Sequence, residues 1–410
     1  VTGQLTINDT TGGVIDFKGD KCFVVDGTSA KATLESGKVL CNDKQGYAFY
    51  AKNGGTAVIN GGTVESLYSP LSGNNTTGNM NFVVNGGTIT AKYGPAIYMP
   101  GQGKLKITAG TINGGISLRM GHVDISGGTI NAVTSGIDSP SEYYSYSGNA
   151  WFPDALYVFG GTYTSAAGND LVLNITGGTF NCTNGQGSGI AIYDLGKTSQ
   201  KMETSISGRA TITTNAANRD AYQVLSLSDI GVTNPDNGYG NTANTGKVAS
   251  SISGGTFSSS PAQYVAEGKV AIKFVRANKD GNYYVGTQEE IQEIANTAKD
   301  GDTIDVIKGS ITLNMTTPGV NVNNGPNNEG TVIVNGTTLK PETGMEIQKP
   351  ATDPTKPSQD QTQKPSDTAK ADKSAKTGDD FNLFAVGGVA LAAIIAMAAV
   401  AITGRRHRQR

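Results

Sequence analysis

The 410-residue chain has two histidines, one tryptophan and three cysteines, and its 32 basic residues are balanced by 34 acidic ones. Each scarcity closes a class of function. Without a basic excess the chain lacks the electrostatic footprint of nucleic-acid binding. Cys22, Cys41 and Cys182 are too few and too scattered for a disulfide framework, and no Cys-x-x-Cys or Cys/His spacing marks zinc. They read as small buried hydrophobes, and no metal or cofactor is expected. Val1 stands where an initiating Met would, and the first residues already read as a repeat strand. The N-terminus therefore reads as trimmed or incomplete, with no signal peptide in view.

Glycine, by contrast, occurs 56 times, much of it in one recurring unit. The repeat cores are AVINGGTV (57–64), FVVNGGTI (82–89), LKITAGTI (105–112), VDISGGTI (123–130), LYVFGGTY (156–163), LNITGGTF (173–180) and SISGGTF (251–257). ETSISGRATITT (203–214) is a version one residue longer, with Ile206 and Ile212 apolar, and residues 33–59 carry the pattern loosely. Alternation before the glycines places Leu105 with Ile107, and Val123 with Ile125, on one buried strand face. The glycines then turn a corner, returning Ile112, Ile130 and Phe180 to the same interior.

Successive threonines of the unit, from Thr63 through Thr88, Thr111, Thr129 and Thr162 to Thr179, stand 17 to 33 residues apart. Self-similarity at this period, built of strands and turns, predicts a β-solenoid whose units bury their faces only by stacking. A right-handed parallel β-helix over residues 1–285 is expected, with on the order of 12 turns rising roughly 4.8 Å each. An array of β-sandwiches would share the short strands, but not the single register of apolar residue, Gly-Gly and Thr. The NGGTI, SGGTI and TGGTF units resemble the pectate-lyase-like β-helix repeats in surface proteins of gut Gram-positive bacteria, often described as adhesins. That resemblance spans about two thirds of the chain and implies a fold more than an activity.

Beyond residue 285 the pattern changes. Within TQEEIQEIANTAKDGD (287–302), Thr287 and Glu290 form a capping box, Ile291, Ile294, Ala295 and Ala298 share one face, Lys299 lies in the last turn and Gly301 is the stop. Strands are expected at 303–307, 310–315 and 330–339, making residues 286–339 a small α+β cap or stalk module. Residues 340–376, rich in proline, lysine and threonine, read as a disordered wall-spanning linker. Residues 381–403 are 23 residues without a charge, enough for a transmembrane helix across roughly 30 Å of hydrocarbon. The arginines after it place the basic tail in the cytoplasm and the repeats outside.

Together, residues 377–410 and the preceding Lys376 are similar to the tripartite Leu-Pro-x-Thr-Gly sorting signal of Gram-positive wall proteins, with Lys376, Thr377 and Gly378 matching its last three positions. Ser374 and Ala375 stand where the family has Leu and Pro. The resemblance implies a sortase that attacks the Thr377 carbonyl and passes the chain to peptidoglycan, or otherwise an uncleaved membrane anchor. Either leaves the protein at the cell surface.

Two features between the repeats could carry function. In ISLRMGHVDIS (116–126), inward Ile116, Leu118, Val123 and Ile125 would leave Arg119, His122 and Asp124 on the outer face as a polar cluster. The insertion at 135–155 holds Tyr143, Tyr144, Tyr146, Trp151 and Phe152, aromatics suited to a sugar face or a protein partner, or to packing back as a lid. The stretches 67–80 and 228–249 read as polar surface loops. No stack of carboxylates recurs between repeats, so no catalytic residue is assigned. The expected function is a non-enzymatic surface adhesin or binding scaffold for glycans or host proteins. An extracellular polysaccharide lyase or glycoside hydrolase and a structural spacer are the alternatives.

The anchor is tested by fractionating cells that carry Thr377→Ala. Covalently wall-linked protein should disappear while the chain stays with the membrane; an unchanged wall fraction would exclude sortase attachment at Thr377.

Overall fold

The computed structural model describes residues 1–349 except 44–45, 75–77, 134–151, 161–169, 195–199, 227–228, 230–247, 278 and 280. A typical repeat contributes three strands, as in Met80–Val84, Thr88–Ala91 and Ile97–Met99. Each pairs in parallel with its equivalent in the next repeat, giving three ladders. The first runs from Gln4–Ile7 to Val248–Ile252 through eight successive pairings, hence nine strands. The second runs beside it from Val14–Phe17 to Gly255–Phe257. The third is an eight-stranded sheet from Lys21–Asp26 to Tyr222–Leu225. The architecture is mainly β, with parallel sheets consistent with a β-helix-like solenoid. Among the described residues nine rungs stack, against the expected 12, a rise of roughly 38 Å over eight steps.

The inward positions follow the alternation. Leu105, Ile107, Ile112, Val123, Ile125, Ile130, Phe180, Ile206, Ile212, Ile252 and Phe257 are all at most 1% exposed and belong to one core to which all three ladders contribute. At the corner between the first two ladders, rungs approach through their backbones. A Cβ at Gly86 would stand 2.4 Å from the Asn60 carbonyl oxygen of the preceding rung, and Gly87 takes φ of +74°. Neither position accommodates an ordinary residue without displacement. The corner then resumes the ladder, with the Thr88 N–H donating to Gly62 O at 2.9 Å.

Register puts Thr63, Thr88, Thr111, Thr129, Thr179, Thr211 and Thr256 in one outward row. Beside it the Asn131 amide donates to Asn113 Oδ1 at 2.8 Å, and the Asn181 amide donates to Asn131 Oδ1 at 3.1 Å. The latter pair is 50 residues apart in sequence, so the insertion leaves the ladder in register.

Three expectations change in the third sheet. LYVFGGTY is not a repeat core: Leu156–Gly160 pairs with Ile116–Leu118 and Ile190–Asp194 in the third ladder. Its Leu156, Tyr157, Val158 and Phe159 are all buried, so both faces are covered and the apolar run no longer identifies an inward face. Within 67–80, read as a surface loop, Leu71–Ser72 is a buried strand pairing with Tyr47–Lys52 and Ile97–Met99. Cys41 and Cys182 are buried, but Cys22 is only half-buried; all three are free thiols, and burial pushes Cys22 and Cys182 up to about 11.

The repeat ladders stop at Ile252 and Phe257, where Gly255–Phe257 pairs antiparallel with Asn282–Gly286. Reversing direction there covers a sheet edge that would otherwise stay open. A second core follows, drawing Val270, Ile272 and Phe274 together with Ile291, Ile304 and Val322. The capping box forms as expected, with Glu290 N–H donating to Thr287 Oγ1 and Thr287 N–H to Glu290 Oε2. The helix Gln288–Ala295 ends earlier than expected, so Ala298 is buried beyond it and Lys299 lies past its last turn. The expected strand 330–339 is a hairpin, Val332–Val334 and Thr337–Leu339, turned at Asn335 and Gly336 with φ of +48° and +80°. The start of the expected linker is structured instead, because Gly344–Glu346 pairs antiparallel with Asn321–Asn324 and Ile347 is buried in the second core; residues 350–376 lie outside the described residues. No helix among the described residues is long and apolar enough to cross a membrane, and residues 381–403 lie outside them.

Gly86→Ala should destabilise the purified chain by about 1–3 kcal/mol, because its methyl meets a carbonyl that cannot swing away. Gly3→Ala, where a Cβ meets nothing within 4 Å, should stay within about 0.5 kcal/mol. Equal denaturant midpoints for the two variants would refute the close-approach explanation.

Candidate functional site

The described end of the aromatic insertion is Phe152-Pro153-Asp154, and it is held by three different contacts. Phe152 is 2% exposed and stacks on Tyr193 with centroids 3.9 Å apart, with Tyr157 and Phe159 each at 5.3 Å. It therefore packs over the outer side of the third sheet and presents no ring to solvent, contrary to the expected ligand contact. The Pro153 carbonyl accepts from Asn184 Nδ2 at 2.7 Å and from Cys182 Sγ at 3.3 Å. Gly187 lies beneath it, where a Cβ would come within 2.3 Å of that oxygen.

Asp154 is fully buried, accepting from Ser188 N–H at 2.6 Å and from Tyr193 OH at 2.7 Å. Burial raises its carboxyl pKa above the ordinary carboxylate value, opposed by the Arg219 charge and by the Ser188 and Tyr193 hydrogen bonds. With both oxygens engaged, Asp154 acts as a clamp that ties the insertion's root to the next rung.

Beside this root lies an open cavity of about 360 Å³ lined by Pro153, Gly185, Gln186, Asn218, Arg219, Leu225 and Asp229. Its rim is preset by local hydrogen bonds: Gly185 N–H donates to Asn215 Oδ1 at 2.8 Å, and Asp229 Oδ2 accepts from the Ser226 N–H and hydroxyl at 2.7 and 2.8 Å. One cation, one carboxylate, carboxamides and exposed backbone suit a polar ligand bound by hydrogen bonds. Among the described residues, no three His, Cys, Asp or Glu side chains converge as metal ligands.

The expected outer-face cluster divides. Arg119 is 1% exposed, with its guanidinium 5.1 Å from the Phe159 ring centroid and 6.0 Å from that of Tyr98. The reason is topological: Ile116–Leu118 belongs to the doubly covered third sheet, and the chain turns through Gly121, φ +101°, before entering the first ladder. Alternation cannot be carried across that turn. His122 and Asp124 do face outward, 3.2 Å apart, and Asp124 Oδ1 also accepts from Asn174 Nδ2 at 3.0 Å. They sit in two adjacent inter-rung rows, separate from Arg119. Tyr143, Tyr144, Tyr146 and Trp151, like Lys376, Thr377 and Gly378, lie outside the described residues.

Asp154, Arg219 and Asp229 escaped the sequence reading because each sits between repeat units, and register alone brings them together. The signal that could have pointed there is the Pro-Asp pair closing the insertion. No known family model, curated protein or solved structure matches the chain.

Asp154 makes stability pH-dependent with a definite sign. Its folded pKa lies above the unfolded value near 3.9, so the native state holds the proton longer and stability falls as pH rises through the folded pKa. Asp154→Asn should flatten this fall above about pH 4 when unfolding free energy is measured against pH. An unchanged slope would contradict the assignment.

Proposed function

We propose that this chain is a surface-displayed, non-enzymatic binding scaffold that uses its insertion to contact glycans or host proteins. In this reading the parallel ladders close as a right-handed β-helix, and residues 286–339 cap it. The linker and the 381–403 helix hold it at a Gram-positive surface, with sortase joining Thr377 to peptidoglycan. The observation that carries the reading is the anchored root: Phe152 and Asp154 fix the insertion beside an open polar cavity, as a scaffold fixes a binding loop.

A polysaccharide lyase or hydrolase is the second reading, and one observation favours it. Asp154 is a buried carboxyl of raised pKa adjoining Pro153 and near Arg219, which line a cavity together with Asp229. Against it, both Asp154 oxygens are committed to Ser188 and Tyr193, leaving none directed at a substrate.

A glycan and mucin binding screen separates these functions. Binding should weaken about tenfold or more, 1.4 kcal/mol, in Trp151→Ala, Tyr144→Ala or Arg219→Ala. Release of reducing or unsaturated ends from a uronate polymer would instead identify an enzyme. No binding by the folded parent chain would leave a spacer.

A further inference from the structure

We propose a second ligand site on the outer face of the first ladder: a shallow groove across the first four rungs that takes a short neutral oligosaccharide lying across the strands. It is independent of the cavity beside Pro153, which lies on the third-sheet side. The groove encloses about 640 Å³, and its lining includes Lys31, Thr56, Val58, Asn60, Val83 and Asn85.

Its floor is out of keeping with its position. Ala57 and Ile59 fill the core from one strand, as do Phe82 and Val84 from the next, so Val58 and Val83 lie on the opposite face, where Val83 is half-buried and Val58 keeps only 6% of its surface exposed at the floor of the groove. They are also register partners, side by side on a face that is mostly polar. Core packing does not call for these outward valines. Further along the same row come Lys106 and Asp124, and in the adjacent row Lys104 and His122 and then a single Val172, so two valines side by side in one row mark these early rungs.

The wall is a set of fixed carboxamides. Asn85 Nδ2 donates to Asn60 Oδ1 at 2.9 Å, Asn60 Nδ2 donates to Glu35 Oε1 at 2.9 Å, and the Thr108 hydroxyl donates to Asn85 Oδ1 at 2.9 Å. Both amides are thereby oriented, and each keeps a second N–H for a ligand. Apolar floor and carboxamide wall repeat together at roughly 4.8 Å per rung. A sugar chain offers the matching pattern, with a C–H ring face for the valines and a hydroxyl for each carboxamide.

Other occupants fit less well. Lys31–Leu34, Thr56–Ile59 and Met80–Val84 are each paired along both edges, so an extended peptide finds no free backbone to add to. Lys31 is the one charged side chain of the lining, too little to hold a polyanion.

The test is calorimetric titration of the full chain with cello-, xylo- and chito-oligosaccharides, with oligogalacturonate as the anionic arm. A neutral oligosaccharide should bind, and Asn85→Ala or Val83→Glu should weaken it at least about tenfold. Asn85 is exposed, so its variant should melt like the parent; Val83→Thr keeps the side-chain size should Val83→Glu fail to fold. The proposal is overturned if no neutral probe binds, if binding is indifferent to the Asn85 and Val83 variants, or if only oligogalacturonate binds. Loss with Arg219→Ala alone would assign the ligand to the cavity beside Pro153 and also overturn it.

Discussion

Everything in the repeat region depends on how closely two backbones approach at the corner between the first and second ladders. The carbonyl of one rung occupies the space where a Cβ of the next would be, at 2.1 to 2.4 Å for Gly61, Gly86, Gly127 and Gly177. In the rungs that carry both glycines, that approach sets the height of the rung and hence the register of the strands on both sides. The threonine row, the asparagine ladder and the continuous core follow from that register. The requirement is sharper at the second glycine than at the first. Ala109 takes the first place in one rung, whereas the following Gly110 keeps φ of +98°.

The third sheet has a different character. Covered on both faces, it can hold a buried Arg119 among aromatic rings and a buried Asp154 between two donors, groups that a solvated sheet face would leave in water. Burial raises the stakes of every polar contact there, because a lost partner leaves an unpaired group away from water. The first and second ladders are thus a repetitive scaffold with an accessible exterior, and the third is the side on which irregular segments are rooted. A repeat protein separates scaffold from site in this way when insertions leave from one side.

The sequence disclosed the first two ladders almost residue by residue, because their strands bury one face and alternate cleanly. Leu105, Ile107, Val123 and Ile125 show this directly. It hid the third ladder, since Leu156–Gly160 and Ile190–Asp194 are buried on both faces and have no period to read. The same blindness put Arg119 outside, by extending one strand's alternation through a turn into another sheet. Asn321–Asn324 was invisible for the opposite reason, a strand of mostly asparagine with one inward Val322. The cavity beside Pro153 was illegible because its lining residues meet only through stacking, and the valine floor of the first ladder passed for ordinary repeat residues. In each case what was missed is a relation between rungs, which a linear pattern does not contain.

The central claim is that strands far apart in sequence stack in one register regardless of the segments between them. Thr63 and Thr256 lie six rungs apart in one row. Spin labels can be placed there as Thr63→Cys and Thr256→Cys in a Cys22→Ser background, since Cys41 and Cys182 are buried. Pulsed electron–electron resonance should give one narrow distance near 29 Å, six steps of roughly 4.8 Å. A broad distribution, or a distance beyond about 40 Å, more than eight such steps, would contradict the stacked register.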